Sequence, residues 1–197
     1  MKRRLFASAA VLLALSVGAM LAQDKGGKGG GGRGPAGPGL TLTSPDIVDG
    51  PVIPDKFTQK AGAGAPSPKL EWTNVPMGVV SFALLFHDPD AAPGKKTEDV
   101  THWMMFNIPA DAKSLDGGMS ADAKLPNGTI QIKNTRQAVG YMGPGAGAAG
   151  PYHHYTFELF ALDTKLDLGP DATRADVMKA MDGHVLAKGV LEGRFHQ

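Results

Sequence analysis

The chain of 197 residues contains no cysteine. Disulfide bonds, thiolate metal sites, cysteine nucleophiles and a lipid-anchoring cysteine are therefore excluded. Aromatic residues are few, at 7%, and the formal net charge is only +1. That charge argues against a dedicated nucleic-acid binder, which usually carries a clear basic excess. Glycine and proline are common, with 27 and 15 residues, and favour a turn-rich fold over a helical bundle.

The small net charge hides three unlike segments. Residues 1–22 carry three basic residues and no acidic one, and residues 23–39 carry three basic residues and one acidic one. Residues 40–197 carry 14 basic and 18 acidic residues, which is a net charge of −4. A mildly acidic body, long enough for one domain with a buried core, therefore follows a basic leader.

Residues 1–22 are typical of a secretory signal peptide. A basic start is followed by an apolar run from Leu5 to Leu21, and small residues precede candidate cleavage sites after Ala19 and Ala22. A retained membrane anchor is the alternative, but the run is near the lower length limit for a span. We therefore expect cleavage, no integral membrane span in the mature protein, and a periplasmic or secreted location.

Residues 23–39 are dominated by glycine and carry almost no apolar side chain. Such a segment cannot offset the entropy cost of ordering its backbone, so we predict a flexible spacer. A weak basic tether to an anionic surface is the alternative, although three basic residues are few. The remaining residues, 40–197, are predicted to form the domain.

Short apolar segments in the body predict a mainly β domain, most simply a sandwich. Seven strands are predicted near residues 40–44, 70–72, 79–86, 101–108, 129–132, 154–162 and 185–195. Because 79–86 is almost entirely apolar, we expect both faces of that strand to be covered. One helix is predicted to begin at a Thr173 cap and to end at Gly183, with an apolar stripe formed by Val177, Met178 and Met181.

Polar side chains gather at the ends of two of these strands. Asp88 and Asp90 follow the strand 79–86 in an Asp-Pro-Asp turn, where buried carboxylates need partners. An exposed turn in which an aspartate caps its own backbone is the alternative. His102 opens the next strand, and a two-residue period places it on one face with Met104 and the later even-numbered apolar residues. A hydrogen-bonded histidine at the edge of the core is the alternative to a ligand-binding one.

A third segment, Gly140–Tyr155, combines a loop rich in glycine and alanine with the start of another strand. The same period places His153 and Tyr155 on one face of that strand and His154 on the opposite face. The loop can present backbone N–H groups to an anion or be a mobile connection, and the sequence leaves both alternatives open.

If the three segments converge, they form a shallow pocket with imidazole and phenol donors and carboxylate acceptors. That chemistry suits a phosphate or carboxylate ester, with one partly protonated histidine supplying positive charge. The three segments contain no arginine and no P-loop, so a nucleoside triphosphate is not expected as the ligand.

Three blocks of sequence, in their order and spacing, resemble the phosphatidylethanolamine-binding protein family in its bacterial Raf-kinase-inhibitor-like branch. The blocks lie at residues 88–93, 101–109 and 140–157, and the resemblance covers about residues 40–195. It implies an antiparallel, Greek-key-type β-sandwich with one or two peripheral helices and a small pocket for phosphate or a phosphoethanolamine-like head group. By motif position, the implied ligand-binding residues are Asp88, Asp90, His102, Gly143, Pro144, His153 and Tyr155.

Two features depart from the family pattern. An extra alanine, Ala91 or Ala92, precedes Pro93 in the first block, and residues 145–150 read Gly-Ala-Gly-Ala-Ala-Gly where the family has a Pro-Pro pair. We therefore expect a looser pocket rim in this chain.

The combined expectation is an exported, non-catalytic binding protein for a small anion or phospholipid head group, without a cofactor or bound metal. Modulation of a protein partner and a homodimer stay open, and no nucleic-acid partner is expected. One alternative is a metal-dependent hydrolase, for which His87 adds a ligand to the aspartates and histidines above, although no compact ligand motif occurs. Another is a secreted protease inhibitor or similar interaction module.

Overall fold

The computed structural model describes residues 39–62 and 64–197. The predicted signal peptide, and all but the last residue of the predicted spacer, lie outside the described residues. Within the described residues, no helix is long and apolar enough to cross a lipid bilayer.

Eight strands and one α-helix form the described part of the chain, which confirms the predicted mainly β class. The strands are β1 (Thr41–Thr43), β2 (Leu70–Thr73), β3 (Ser81–Asp88), β4 (Val100–Pro109), β5 (Ser114–Leu115), β6 (Ile130–Gln131), β7 (His153–Leu162) and β8 (Val185–Phe195), and the helix is α1 (Arg174–Met181). The sequence pattern predicted all of these strands except β5, which is only two residues long. Three short 3-10 helices complete the regular structure, at Asp55–Phe57, Gln59–Ala61 and Pro93–Lys95.

The strands pair into two antiparallel sheets. One sheet has three strands in the order β1-β2-β5, and the other has five in the order β6-β4-β3-β7-β8. The centre of the larger sheet is therefore β3, with β4 and β7 on either side. The polar residues that end β3 consequently lie between the first residues of its two antiparallel neighbours.

The main hydrophobic core joins residues of both sheets, as a sandwich requires. Trp72 of β2 packs against Phe82 of β3 with ring centroids 5.4 Å apart, and Phe86 stacks on Phe157 of β7 at 3.9 Å. A second core lies on the other face of the larger sheet, where α1 contributes the buried Val177. The apolar strand β3 is thus covered on both faces, as its sequence predicts.

The single α-helix of the described residues begins and ends as predicted. Thr173 accepts a hydrogen bond from the backbone N–H of Asp176, and the Asp176 carboxylate accepts one from the backbone N–H of Thr173. This reciprocal capping box satisfies two backbone donors at the start of α1. Gly183, with φ of 84°, follows the last turn.

Strand β4 contains two irregularities that shift its side-chain alternation. Phe86 pairs with Trp103, whereas the next residue of β3, His87, pairs with Thr101, so His102 is the extra residue of a bulge. A second bulge near the other end of β4 includes Asn107, whose φ is 58°. Each bulge moves the following side chains to the opposite face, which the regular two-residue period does not anticipate.

Candidate ligand-binding site

A cavity of about 260 Å³ opens where β3 ends and β7 begins. Four of the predicted site residues line it: Asp88, His102, His153 and Tyr155. Its other lining residues are Gln59, Ala91, Val100, Thr135, Arg136, Met142, Gly145 and Ala146. A larger depression of about 500 Å³ lies between β1 and β8, and Asp49 is the only ionisable residue in its lining.

Asp88 and His153 form a hydrogen-bonded pair in this cavity. Oδ2 of Asp88 lies 2.8 Å from Nδ1 of His153, and Oδ1 of Asp88 accepts the backbone N–H of Asp90 at 3.0 Å. Only 4% of Asp88 is exposed, so this carboxylate requires the partners that it has. The structure therefore combines the two interpretations of the turn, because Asp88 both caps the backbone and belongs to the pocket.

Asp90 does not line the cavity but pairs with the next histidine. Its Oδ2 accepts the backbone N–H of His154 at 2.6 Å and lies 2.8 Å from His154 Nδ1. The backbone hydrogen bond is the main cause that lowers the pKa of Asp90, with a smaller contribution from the His154 ring. Nearly half of each side chain is exposed. The pair therefore fastens the Asp-Pro-Asp turn to β7 beside the pocket.

His102 lies on a different face of β4 from the one that the two-residue period predicts. Its ring centroid is 5.3 Å from that of Phe86 and 5.2 Å from that of Tyr155, both of which belong to the core between the sheets. Met104, the next even-numbered residue, packs in the other core. The physical reason is the bulge, because an extra residue in β4 turns the His102 side chain towards the cavity.

The His102 ring is fixed by the loop that precedes β7. Its Nδ1 lies 2.8 Å from the carbonyl oxygen of Met142, and since a carbonyl only accepts, Nδ1 is the donor. Burial lowers the pKa of His102 below its usual value, and the hydrogen bond to Met142 opposes this only in part. His102 is therefore neutral at neutral pH and is not the source of the positive charge expected in the pocket.

Tyr155 is held by the loop rich in glycine and alanine. Its hydroxyl oxygen accepts the backbone N–H groups of Gly145 at 3.2 Å and Ala146 at 3.0 Å. Burial, and then the charge of Asp88, raise the pKa of Tyr155 to about 12, against the lowering effect of these two donors. The phenol therefore keeps its proton at neutral pH. These two N–H groups bind the phenol, so they are not free donors for an anion.

Gly143 and Pro144 support the rim rather than line the cavity. The Gln59 backbone N–H donates to the Pro144 carbonyl at 2.9 Å, and its Nε2 donates to the Gly143 carbonyl at 3.0 Å. A Cβ atom at Gly143 would lie 2.7 Å from the Phe57 carbonyl oxygen, so only glycine allows this approach.

Arg136 and Gln59 line the cavity but were missed from the sequence. The three segments recognised in the sequence contain no arginine, but a fourth segment brings Arg136 to the cavity. Arg136 Nη2 donates to Gln59 Oε1 at 2.9 Å, and the Asn134 side chain accepts the Arg136 backbone N–H at 3.0 Å. Asn134 is a usable turn signal, but nothing local indicates that the turn lies beside residues as distant in the sequence as Gln59 and Asp88.

His87 belongs to a separate hydrogen-bond network. In the sequence it was a candidate metal ligand for the hydrolase alternative. Its Nδ1 lies 2.7 Å from Oδ2 of Asp99, which Arg174 also contacts. Burial opposes ionisation of Asp99, but the hydrogen bonds from Arg174 and His87 prevail and lower its pKa. Within residues 39–62 and 64–197, no group of three or more His, Asp or Glu side chains is arranged to hold a metal ion.

Comparisons with known proteins agree with the fold. A sequence model of the phosphatidylethanolamine-binding protein family matches residues 43–196. A UPF0098 protein of Methanothermobacter thermautotrophicus is 43% identical over 131 residues, which cover 66% of this chain and 83% of that protein. The UPF0098 protein YbhB of Escherichia coli is 32% identical over 162 residues, covering 79% and 99%. The crystal structure of Escherichia coli YbcL, a member of the mammalian PEBP family, superposes with a TM-score of 0.72 at 29% identity, covering 81% of this chain and 99% of YbcL.

Proposed function

The chain belongs to the phosphatidylethanolamine-binding protein family, and on that premise we propose that it is a non-catalytic binding protein for a small anion or a phospholipid head group. One observation carries the proposal. Asp88, His102, His153 and Tyr155 come from three separate chain segments, and all four line one cavity. A cavity of about 260 Å³ suits a head group better than a whole lipid.

The groups around the cavity supply the hydrogen bonds that such a ligand needs. The Tyr155 hydroxyl accepts two backbone hydrogen bonds and keeps its own proton at neutral pH, beside the Asp88 carboxylate. His153 uses Nδ1 to bind Asp88, and in the described residues its Nε2 has no hydrogen-bond partner. A phenol O–H is a good donor to phosphate and carboxylate oxygens, and so is the second N–H of an imidazole ring when that ring is protonated.

The lining also supports binding without catalysis. It contains no serine or cysteine, and the Thr135 hydroxyl accepts the backbone N–H of Thr101 at 2.9 Å. In the part of the chain that the structure describes, no hydrogen bond joins this hydroxyl to a histidine that would activate it as a nucleophile.

Isothermal titration calorimetry with inorganic phosphate and with phosphoethanolamine tests the proposal. We expect the intact protein to bind at least one of them, and His153→Ala to bind it more weakly because one hydrogen-bonding group of the pocket is lost. His154→Ala is the matched control, since its side chain pairs with Asp90 outside the cavity. Absence of binding to both ligands by the intact protein would contradict the proposed function.

We further propose that the protein is exported, which rests on the sequence of residues 1–22. Expression of the full chain in a bacterial host, followed by cell fractionation and N-terminal sequencing, tests this part. We expect a mature protein that begins after Ala19 or Ala22 outside the cytoplasm, and a variant without the leader that stays in the cytoplasm. A full-length chain retained in the cytoplasm would contradict export.

A further inference from the structure

The positive and negative side chains that line the cavity do not cancel one another. Asp88 and His153 form an ion pair whose charges balance when the histidine is protonated. His102 is neutral at neutral pH because burial disfavours its charged form. Arg136 is the remaining ionisable side chain besides the protonated Tyr155, and among the described residues it forms no ion pair with a carboxylate. The positive charge available to a ligand therefore comes from Arg136.

Gln59 holds this guanidinium at the cavity. The Gln59 side chain accepts from Arg136 Nη2 at 2.9 Å and donates to the Gly143 carbonyl at 3.0 Å, so its amide bridges Arg136 to the rim. Gly145 makes room for this bridge, because a Cβ atom there would lie only 2.2 Å from Gln59 Nε2. Gln59 is neutral, so the bridge positions the charge of Arg136 without cancelling it.

The cavity offers no comparable group to a cation. Asp88 is its only lining carboxylate. One Asp88 oxygen is bound by His153 and the other by the backbone N–H of Asp90, and only 4% of the residue is exposed. The ammonium of a bound ethanolamine group would therefore find no free carboxylate in this lining, since the Asp90 carboxylate binds His154 outside it.

We propose that Arg136 determines the selectivity of the cavity for an anion, and that the ligand is recognised by its phosphate group and not by its amine. This inference rests on the proposed function and specifies the ligand class. The ligand class is a phosphate group with unesterified, negatively charged oxygens. This group occurs both in inorganic phosphate and in a lipid head group. A guanidinium suits this ligand because its fixed fork of N–H donors matches phosphate oxygens two at a time.

Titration of the full chain with inorganic phosphate, phosphoethanolamine and ethanolamine tests the inference. The first two should bind with affinities within about threefold of each other, and ethanolamine should not bind. Arg136→Gln should weaken phosphate binding by about 10- to 100-fold, the range expected for loss of one charged hydrogen-bonding group. It should also reduce the salt dependence of the affinity, because an exposed charge is screened. Gln59→Glu should weaken binding in the same direction, since a carboxylate there neutralises Arg136.

The control is Lys165→Gln, which removes an exposed positive charge near Asn107, five residues along β4 from His102. It should bind phosphate as the unaltered protein does. Vesicles that contain phosphatidic acid, added as competitors of phosphate, distinguish the two sources of the ligand. If the vesicles displace phosphate, the ligand is a lipid head group; if they do not, it is free phosphate.

The possible results are distinguishable. Absence of phosphate binding by the unaltered protein removes the proposed function and this inference together. Binding that Arg136→Gln leaves unchanged, or phosphoethanolamine binding more than about tenfold tighter than phosphate, overturns only the inference. Thermal unfolding monitored by circular dichroism verifies that each variant is folded, which is expected because Arg136 and Lys165 are exposed.

Discussion

Asp88, the last residue of β3, lies 2.8 Å from His153, the first residue of β7. The register of the two strands explains this contact. His87 pairs with Thr156, so Asp88 falls opposite Tyr155, and His153 lies two residues further along the same face of β7. The Asp88 carboxylate thereby contacts His153 and, through its charge, helps to raise the pKa of Tyr155 on the same strand. The antiparallel pairing of the central strands thus builds the polar wall of the cavity.

Removal of the His153 side chain should destabilise the fold. In His153→Ala the nearly buried Asp88 carboxylate loses its side-chain partner, so we expect a loss of about 1–3 kcal/mol in the free energy of unfolding. Urea unfolding at neutral pH measures this loss. His154→Ala removes the more exposed partner of Asp90 and should cost less than about 1 kcal/mol, as is usual for a surface ion pair. Equal losses for the two variants would show that burial of Asp88 does not set the energy of its pair.

Replacement of Tyr155 by phenylalanine should loosen the loop before β7. The hydroxyl is the acceptor for the N–H groups of Gly145 and Ala146, and Ala146 is buried. A buried N–H without an acceptor costs about 1–3 kcal/mol, so Tyr155→Phe should reduce stability by that amount. Hydrogen exchange should become faster at Gly145 and Ala146 and stay unchanged at Gly189 in β8. Unchanged exchange at both loop amides would contradict the role of this hydroxyl.

The stability of the folded protein should depend on pH through His102. Burial lowers the pKa of His102 in the folded state below the value of about 6.5 typical of an unfolded chain. Below that pH the unfolded state binds the proton more readily, so folding stability declines as the pH falls from about 6.5 through the lowered pKa. His102→Gln removes the titrating group, and its amide can still donate to the Met142 carbonyl.

Unfolding free energies of His102→Gln and the unaltered protein, compared between neutral and mildly acidic pH, measure this contribution. The difference between the two slopes belongs to His102, because every other titrating group is shared. We expect the shallower decline for the variant. Parallel curves would show that His102 is protonated equally in the folded and unfolded states.

The sequence predicted the fold well because its signals are local. Apolar runs such as Ser81–Phe86, the Thr173 cap and the helix-ending Gly183 each act within a few residues. The face of His102 was predicted wrongly for a physical reason that the pattern does not carry. A bulge is defined by pairing with another strand, so the shift at His102 is visible only once β3 and β4 are aligned.

The site could be predicted from the sequence only where polar residues lie at the ends of strands. Asp88 does so at the end of β3, and His102, His153 and Tyr155 do so near the starts of β4 and β7; the structure places all four on the cavity. Arg136 and Gln59 instead lie in a turn and a 3-10 helix, and they meet across 77 positions of sequence. Contacts over such separations depend on the packing of loops, which neither periodicity nor turn propensity specifies.

A methyl group added at Gly143 should change the shape of the cavity, although Gly143 does not line it. The Cβ of Gly143→Ala would lie 2.7 Å from the Phe57 carbonyl oxygen and 3.0 Å from the backbone of Thr58. These are backbone atoms, so the segment that carries Gln59 must shift, and overpacking of this kind costs about 1–3 kcal/mol. Since Gln59 positions Arg136, phosphate affinity should fall together with stability.

The matched substitution is Gly147→Ala in the same loop, where the added methyl group meets nothing within 4 Å. It should leave both the urea midpoint and the phosphate affinity nearly unchanged. If both substitutions lower the phosphate affinity equally, flexibility of the glycine loop, and not the close approach of Gly143 to Phe57, controls the geometry of the cavity. If only Gly143→Ala lowers it, the contact between the rim and Gln59 holds Arg136 in place.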